Sequence, residues 1–104
     1  MNTTGMIRGY MSKNMKTEEF IKLVIAALSR EFEKEVKLEI INENGFWISL
    51  DNYKIKMSKE LIEKHKTPYG IDRFILEAFE KQGFKFNRNR SQYIQYCFGS
   101  FEGM

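Results

Sequence analysis

The chain carries one cysteine, one proline and one histidine, and its longest apolar run is Leu23–Leu28. Each scarcity excludes something. A lone Cys97 rules out an internal disulfide framework and a zinc site built on paired cysteines, and it fits a reducing compartment. The apolar run falls far short of the roughly 18 residues that suggest a membrane span. No apolar signal core lies near the start, so the expected location is cytoplasmic, with no membrane partner. With His65 as the only histidine, a metal site would need carboxylates for nearly all its ligands, and a Cys–His catalytic pair would need Cys97 brought to it. His65 falls near the end of a short lysine-rich helical stretch, where a cationic imidazole suits the negative end of the helix dipole. Cys97, between Tyr96 and Phe98, reads as a buried, inert thiol. Glu31, Glu33 and Glu35 alternate within a helix, so neighbours among them lie on different faces and form no carboxylate dyad. A glycine-rich phosphate loop, G-x-S-x-G, H-E-x-x-H and G-x-G-x-x-G after a strand are all missing. These absences point to a non-enzymatic protein with no metal and no cofactor.

What is present is the composition of a folded chain: 104 residues, 42% hydrophobic and 30% charged. The net charge of +3 is laid out unevenly. Residues 1–16 hold Arg8, Lys13 and Lys16 without an acid, and residues 84–98 hold Lys85, Arg88 and Arg90 without one. Between them acids are in slight excess, so the positive charge sits at the two ends, where it could meet an anionic partner. Residues 1–16 lack apolar periodicity and read as a flexible lead-in to a single α+β domain over 17–104.

The pattern changes at Thr17, which can cap a helix running to about Glu35, with Glu18 and Glu19 at the positive dipole end. Its stripe is Ile21, Val24, Ile25, Leu28 and Phe32, widened by Phe20, Leu23 and Ala27. From Val36 the period drops to two, which predicts a three-stranded antiparallel meander. A three-residue Glu43-Asn44-Gly45 loop, with the glycine left-handed, sets Leu38 opposite Leu50 and Ile40 opposite Ile48. A two-residue Asp51-Asn52 loop pairs Leu50 with Tyr53, Ile48 with Ile55 and Phe46 with Met57. Ser58 caps a short helix that ends before Pro68, and a longer helix over Ile71–Gln82 stops at Gly83. Phe84–Phe86 and Tyr93–Phe98 read as a C-terminal hairpin joined by a polar loop. The expected order is α-βββ-αα-ββ, with the two longer helices covering one sheet face.

Two surfaces carry chemistry in this scheme. With Phe46, Ile48 and Leu50 turned to the helices, Trp47 points to the opposite face, across from Ile41 on one side and Lys56 on the other. It is either covered by the lead-in or a loop, or it is an exposed anchor of the kind enriched in protein interfaces. The second surface is Phe84–Phe98, which interleaves aromatics with Lys85, Arg88 and Arg90 and so suits phosphate neutralisation and base stacking, with Tyr93 and Arg73 nearby. The segment Ser58–Phe98, read as helix, turn, helix and basic hairpin, resembles the helix-turn-helix-wing part of a winged-helix domain. That resemblance implies DNA or RNA binding through the hairpin. The exposed side of its second helix, with Asp72, Glu77 and Glu80 against Arg73 and Lys81, is a poor surface for a phosphate-lined groove. The α-βββ-α order is also shared with double-stranded-RNA-binding domains, but the basic residues that start their final helix are not matched. The expected role is a small accessory or regulatory protein that binds another macromolecule. A protein partner is preferred and nucleic acid is the alternative.

Overall fold

The computed structural model describes residues 3–42 and 45–99, with side chains in its first helix from Ile7 onward. The elements are α1 (Thr3–Asn14), α2 (Thr17–Phe32), β1 (Val36–Asn42), β2 (Gly45–Leu50), β3 (Tyr53–Ser58), α3 (Lys59–Lys64), α4 (Gly70–Gln82) and α5 (Gln92–Cys97). Among the described residues the sheet has three antiparallel strands in the order β1-β2-β3. No helix among them is long and apolar enough to cross a membrane.

Helix α2 forms where its apolar spacing predicts, burying Phe20, Ile21, Val24, Ile25, Leu28 and Phe32. Thr17 opens it without capping it: Lys16 takes the cap position, and the Thr17 hydroxyl donates to Glu63 Oε1 at 3.0 Å. Glu33, left-handed at φ 52, closes it. Helix α3 has the expected cap, Ser58 Oγ accepting from the Leu61 N–H at 3.0 Å. Helix α4 buries Ile71, Ile75, Leu76 and Phe79 and ends at Gly83, whose φ of 111 only glycine adopts cheaply. These side chains meet Val36, Phe46, Ile48, Leu50, Ile55 and Met57 from the sheet in one core.

The β2–β3 register is the expected one, turned at Asp51 with φ 53. The β1–β2 register is shifted by two residues from expectation: Leu38 faces Ile48 and Ile40 faces Phe46, with a break between Ile40 and Asn42 at which Ile41 is the extra residue. Gly45 belongs to β2, opposite Asn42 and Ser58, and is not a left-handed closing residue. The rest of the expected three-residue loop, 43–44, lies outside the described residues. A shift of two preserves the alternation, so the apolar face survives it. Ile40, expected in the core, is 48% exposed because β1 runs on beyond the helices that cover its start.

The C-terminal hairpin and the wing it would form are corrected outright. Phe84–Phe86 makes no strand; the rings of Phe84 and Phe86 both pack edge-on against Phe32 (5.2 and 5.7 Å between centroids), with Phe84 also meeting Phe79 and Phe86 meeting Phe98. Gln92–Cys97 is helix α5, started by Ser91 Oγ accepting from the Ile94 N–H at 3.1 Å. An aromatic cluster and a side-chain cap take up the residues whose alternation and aromatic content read as strand. Where a lead-in was expected, residues 3–14 form α1, attached by a buried arginine in place of an apolar stripe.

The turn before α4 depends on Gly70. A Cβ there would overlap the His65 carbonyl oxygen and Thr67 Oγ1. Gly70→Ala is therefore expected to cost about 1–3 kcal/mol, the range for forced overpacking, as read by urea unfolding followed by circular dichroism.

Candidate functional site

Because α2 and α4 pack on one sheet face, the other carries Lys37, Glu39, Trp47, Ser49, Lys54 and Lys56. Trp47 lies opposite Lys56, as expected, and opposite Glu39, not Ile41. Its half-buried ring has Lys54 Nζ 4.5 Å and Lys56 Nζ 6.0 Å from the centroid, both within cation–π reach. Ile41 joins this patch by another route. Its Cδ1 and Lys56 Cε lie 3.7 and 3.9 Å from where a Gly45 Cβ would be, so both border the space that the missing side chain leaves above the strand. The expected trio is thus together, although not by the expected pairing. Beside it a shallow hollow of about 450 Å³ is lined by Lys37, Glu39, Trp47, Ser49 and Lys54. The lead-in does not serve as cover, since α1 is anchored on α4 and the turn before it.

The basic candidates are dispersed and engaged. Arg88 donates to Glu80 Oε1 at 2.8 Å and stacks 4.0 Å over Phe98. Arg90 pairs with Glu31 at 2.7 Å and lies over Phe32. Arg73 pairs with Glu77 on its own helix, while Lys85 is exposed. Tyr93 points inward, its hydroxyl donating to Asp72.

That last contact belongs to a cluster that sequence reasoning missed. Asp72, expected on the solvent side of α4, is fully buried in its first turn. Arg8 donates to Asp72 Oδ1 at 2.7 Å and Oδ2 at 2.8 Å, and also to the Pro68 carbonyl. Its guanidinium carbon lies 4.9 Å from the Tyr69 ring centroid and 5.6 Å from that of Phe20. Burial opposes the Arg8 charge, but the hydrogen bonds and negative charge of Asp72 win and hold the cation well above its ordinary pKa. Burial, then the charge of Asp72, pushes the Tyr93 phenol and the Cys97 thiol well up. Burial raises Tyr69 against the opposing charge of Arg8. Above these residues a groove of about 460 Å³ opens between α1, α2 and α5, lined by Ile7, Met11, Leu23, Ala27, Arg30, Glu31, Tyr69, Gln92, Tyr93 and Tyr96. The signal that could have found it is Asp72 lying beside Ile71 and one turn before Ile75, on the buried side of α4.

His65 closes α3 and packs its ring 4.8 Å from Phe74. Among the described residues no three His, Cys, Asp or Glu side chains converge to hold a metal ion. Comparison with protein-family models, with curated proteins and with solved structures found no match.

Two outcomes follow from the buried cluster. Arg8→Met leaves the Asp72 carboxylate without its cation and should cost about 3–5 kcal/mol in urea unfolding, part of it recovered by adding Asp72→Leu. The folded state holds Tyr69, Tyr93 and Cys97 protonated above their ordinary values. Their contribution is therefore full below the unfolded thiol value of about 8.5; its loss begins as pH rises past that value, steepens past about 10, the phenol value, and continues toward the raised folded values. The urea midpoint should fall across that window, with a shallower slope in Tyr93→Phe.

Proposed function

We propose that this is a non-enzymatic protein-binding module, working in the cytoplasm, whose contact surface is the outer sheet face centred on Trp47. The observation that carries the reading is the one-sided packing of the sheet: Trp47, Ile41, Lys54 and Lys56 form a contiguous apolar-and-cationic patch on the face that α2 and α4 do not use. Tryptophan is over-represented among residues that dominate binding energy, and here Lys54 and Lys56, which complement carboxylates, flank it on the β3 side, with Glu39 opposite it on β1. The partner chemistry that fits is an acidic segment with an apolar side chain to lay on the Trp47 ring. Charge placement supports this reading over the nucleic-acid one. Each arginine of the C-terminal segment carries a glutamate with it: the more exposed Arg88–Glu80 pair is weak, about 0–1 kcal/mol, whereas the Arg90–Glu31 pair is held closer with Glu31 only 10% exposed. A phosphate could displace Glu80 or Glu31 but would remain beside its charge.

Affinity capture from the source cell, with and without nuclease, tests the assignment. A partner retained after nuclease, lost with Trp47→Ala or with Lys54→Glu plus Lys56→Glu, and kept with Arg88→Glu plus Arg90→Glu, is the expected result. Capture that nuclease abolishes, or that the Arg88/Arg90 pair of changes alone removes, overturns it in favour of nucleic acid.

A further inference from the structure

The groove under α1 has the size and lining of a small-molecule site and lies away from the Trp47 face. At about 460 Å³ it falls within the roughly 300–1,000 Å³ usual for ligand pockets. Its walls are mostly apolar: Met11 from α1, Leu23 and Ala27 from α2, and the rings of Tyr69 and Tyr96, which stack on each other at 5.5 Å. Leu23 and Ala27 widen the α2 stripe beyond what the sheet covers and are only half-buried, so this part of the stripe faces the groove.

The charges on the lining can be followed one by one. Arg8 is neutralised by Asp72 through two hydrogen bonds. Glu31 is bound by Arg90 and by the Ser91 hydroxyl. Arg30 is exposed at the edge and has no ion-pair partner among the described residues. Among the described residues one uncompensated cation therefore sits at the mouth of an apolar, aromatic-walled groove.

We propose that this groove binds a small aromatic monoanion, its apolar body between Met11, Leu23, Ala27 and Tyr96 and its carboxylate on Arg30. The assignment is independent of the protein-binding reading.

The probe is 8-anilinonaphthalene-1-sulfonate, with its uncharged twin N-phenyl-1-naphthylamine. Fluorescence and calorimetric titration of the whole chain should give one saturable site for the anion. Arg30→Gln, an exposed change that leaves the core untouched, should weaken the anion about tenfold and the neutral twin not at all, about 1.4 kcal/mol by the affinity relation. Ala27→Phe, which fills the groove, should weaken both probes, and 2-naphthoate should displace the anion at about tenfold lower concentration than 2-naphthylmethanol. Equal affinity of wild type and Arg30→Gln for the anion overturns the proposal. So does binding that Ala27→Phe leaves intact in a cooperatively unfolding variant, or a stoichiometry well above one.

Discussion

The ion pair between Arg8 and Asp72 is the constraint that the outer half of the molecule depends on. Asp72 is fully buried in the first turn of α4, so its carboxylate must be answered from within the protein. Three donors do so: two from the Arg8 guanidinium and one from the Tyr93 hydroxyl. The first brings α1 to α4 and the third brings α5, so one carboxylate organises two helices that share no sheet contact with it. Replacing such a pair wholesale by apolar groups is often neutral, whereas removing one partner strands a charge. Its role here is best described as specifying where α1 sits, more than as supplying net stability.

That placement gives the chain a layered build. The sheet is backed by α2 and α4, and these in turn carry α1 and α5. Each end of the stack has a surface the protein does not fill: the Trp47 face at one end and the groove beneath α1 at the other. They share no lining residue. The Trp47 face is built on β-strands with alternating side chains, so its geometry is held by the ladder. The groove is built on helices tied down by polar contacts, so its width is set by how firmly Arg8 holds.

Legibility followed the kind of interaction involved. Wherever apolar periodicity decides structure, the sequence could be read: the α2 stripe, the α3 cap at Ser58, the α4 stop at Gly83 and the β2–β3 register all match. The β1–β2 register was missed by two residues because the alternation of Val36, Leu38 and Ile40 constrains parity and not offset; Trp47 kept its face for the same reason. Helix α1 left no stripe to read, since its decisive side chain is an arginine that looks solvent-bound in any composition argument. Phe84–Phe86 does alternate as a strand would, but aromatic ring contacts substitute for a ladder partner. Helix α5, six residues rich in tyrosine, advertises β-propensity more loudly than its Ser91 cap advertises a helix. The groove residues went unassembled because they gather from four segments around a carboxylate read by its charge as solvent-facing, although its place between Ile71 and Ile75 puts it on the buried side of α4.

Arg8 stands in α1, ahead of every residue of α2, the sheet and α4. A chain shortened to begin at α2 would keep all of those elements and the burial they give Asp72, yet would offer the carboxylate no cation from α1. A boundary drawn by apolar content alone would thus cut away the one charge that the outer layer is assembled around.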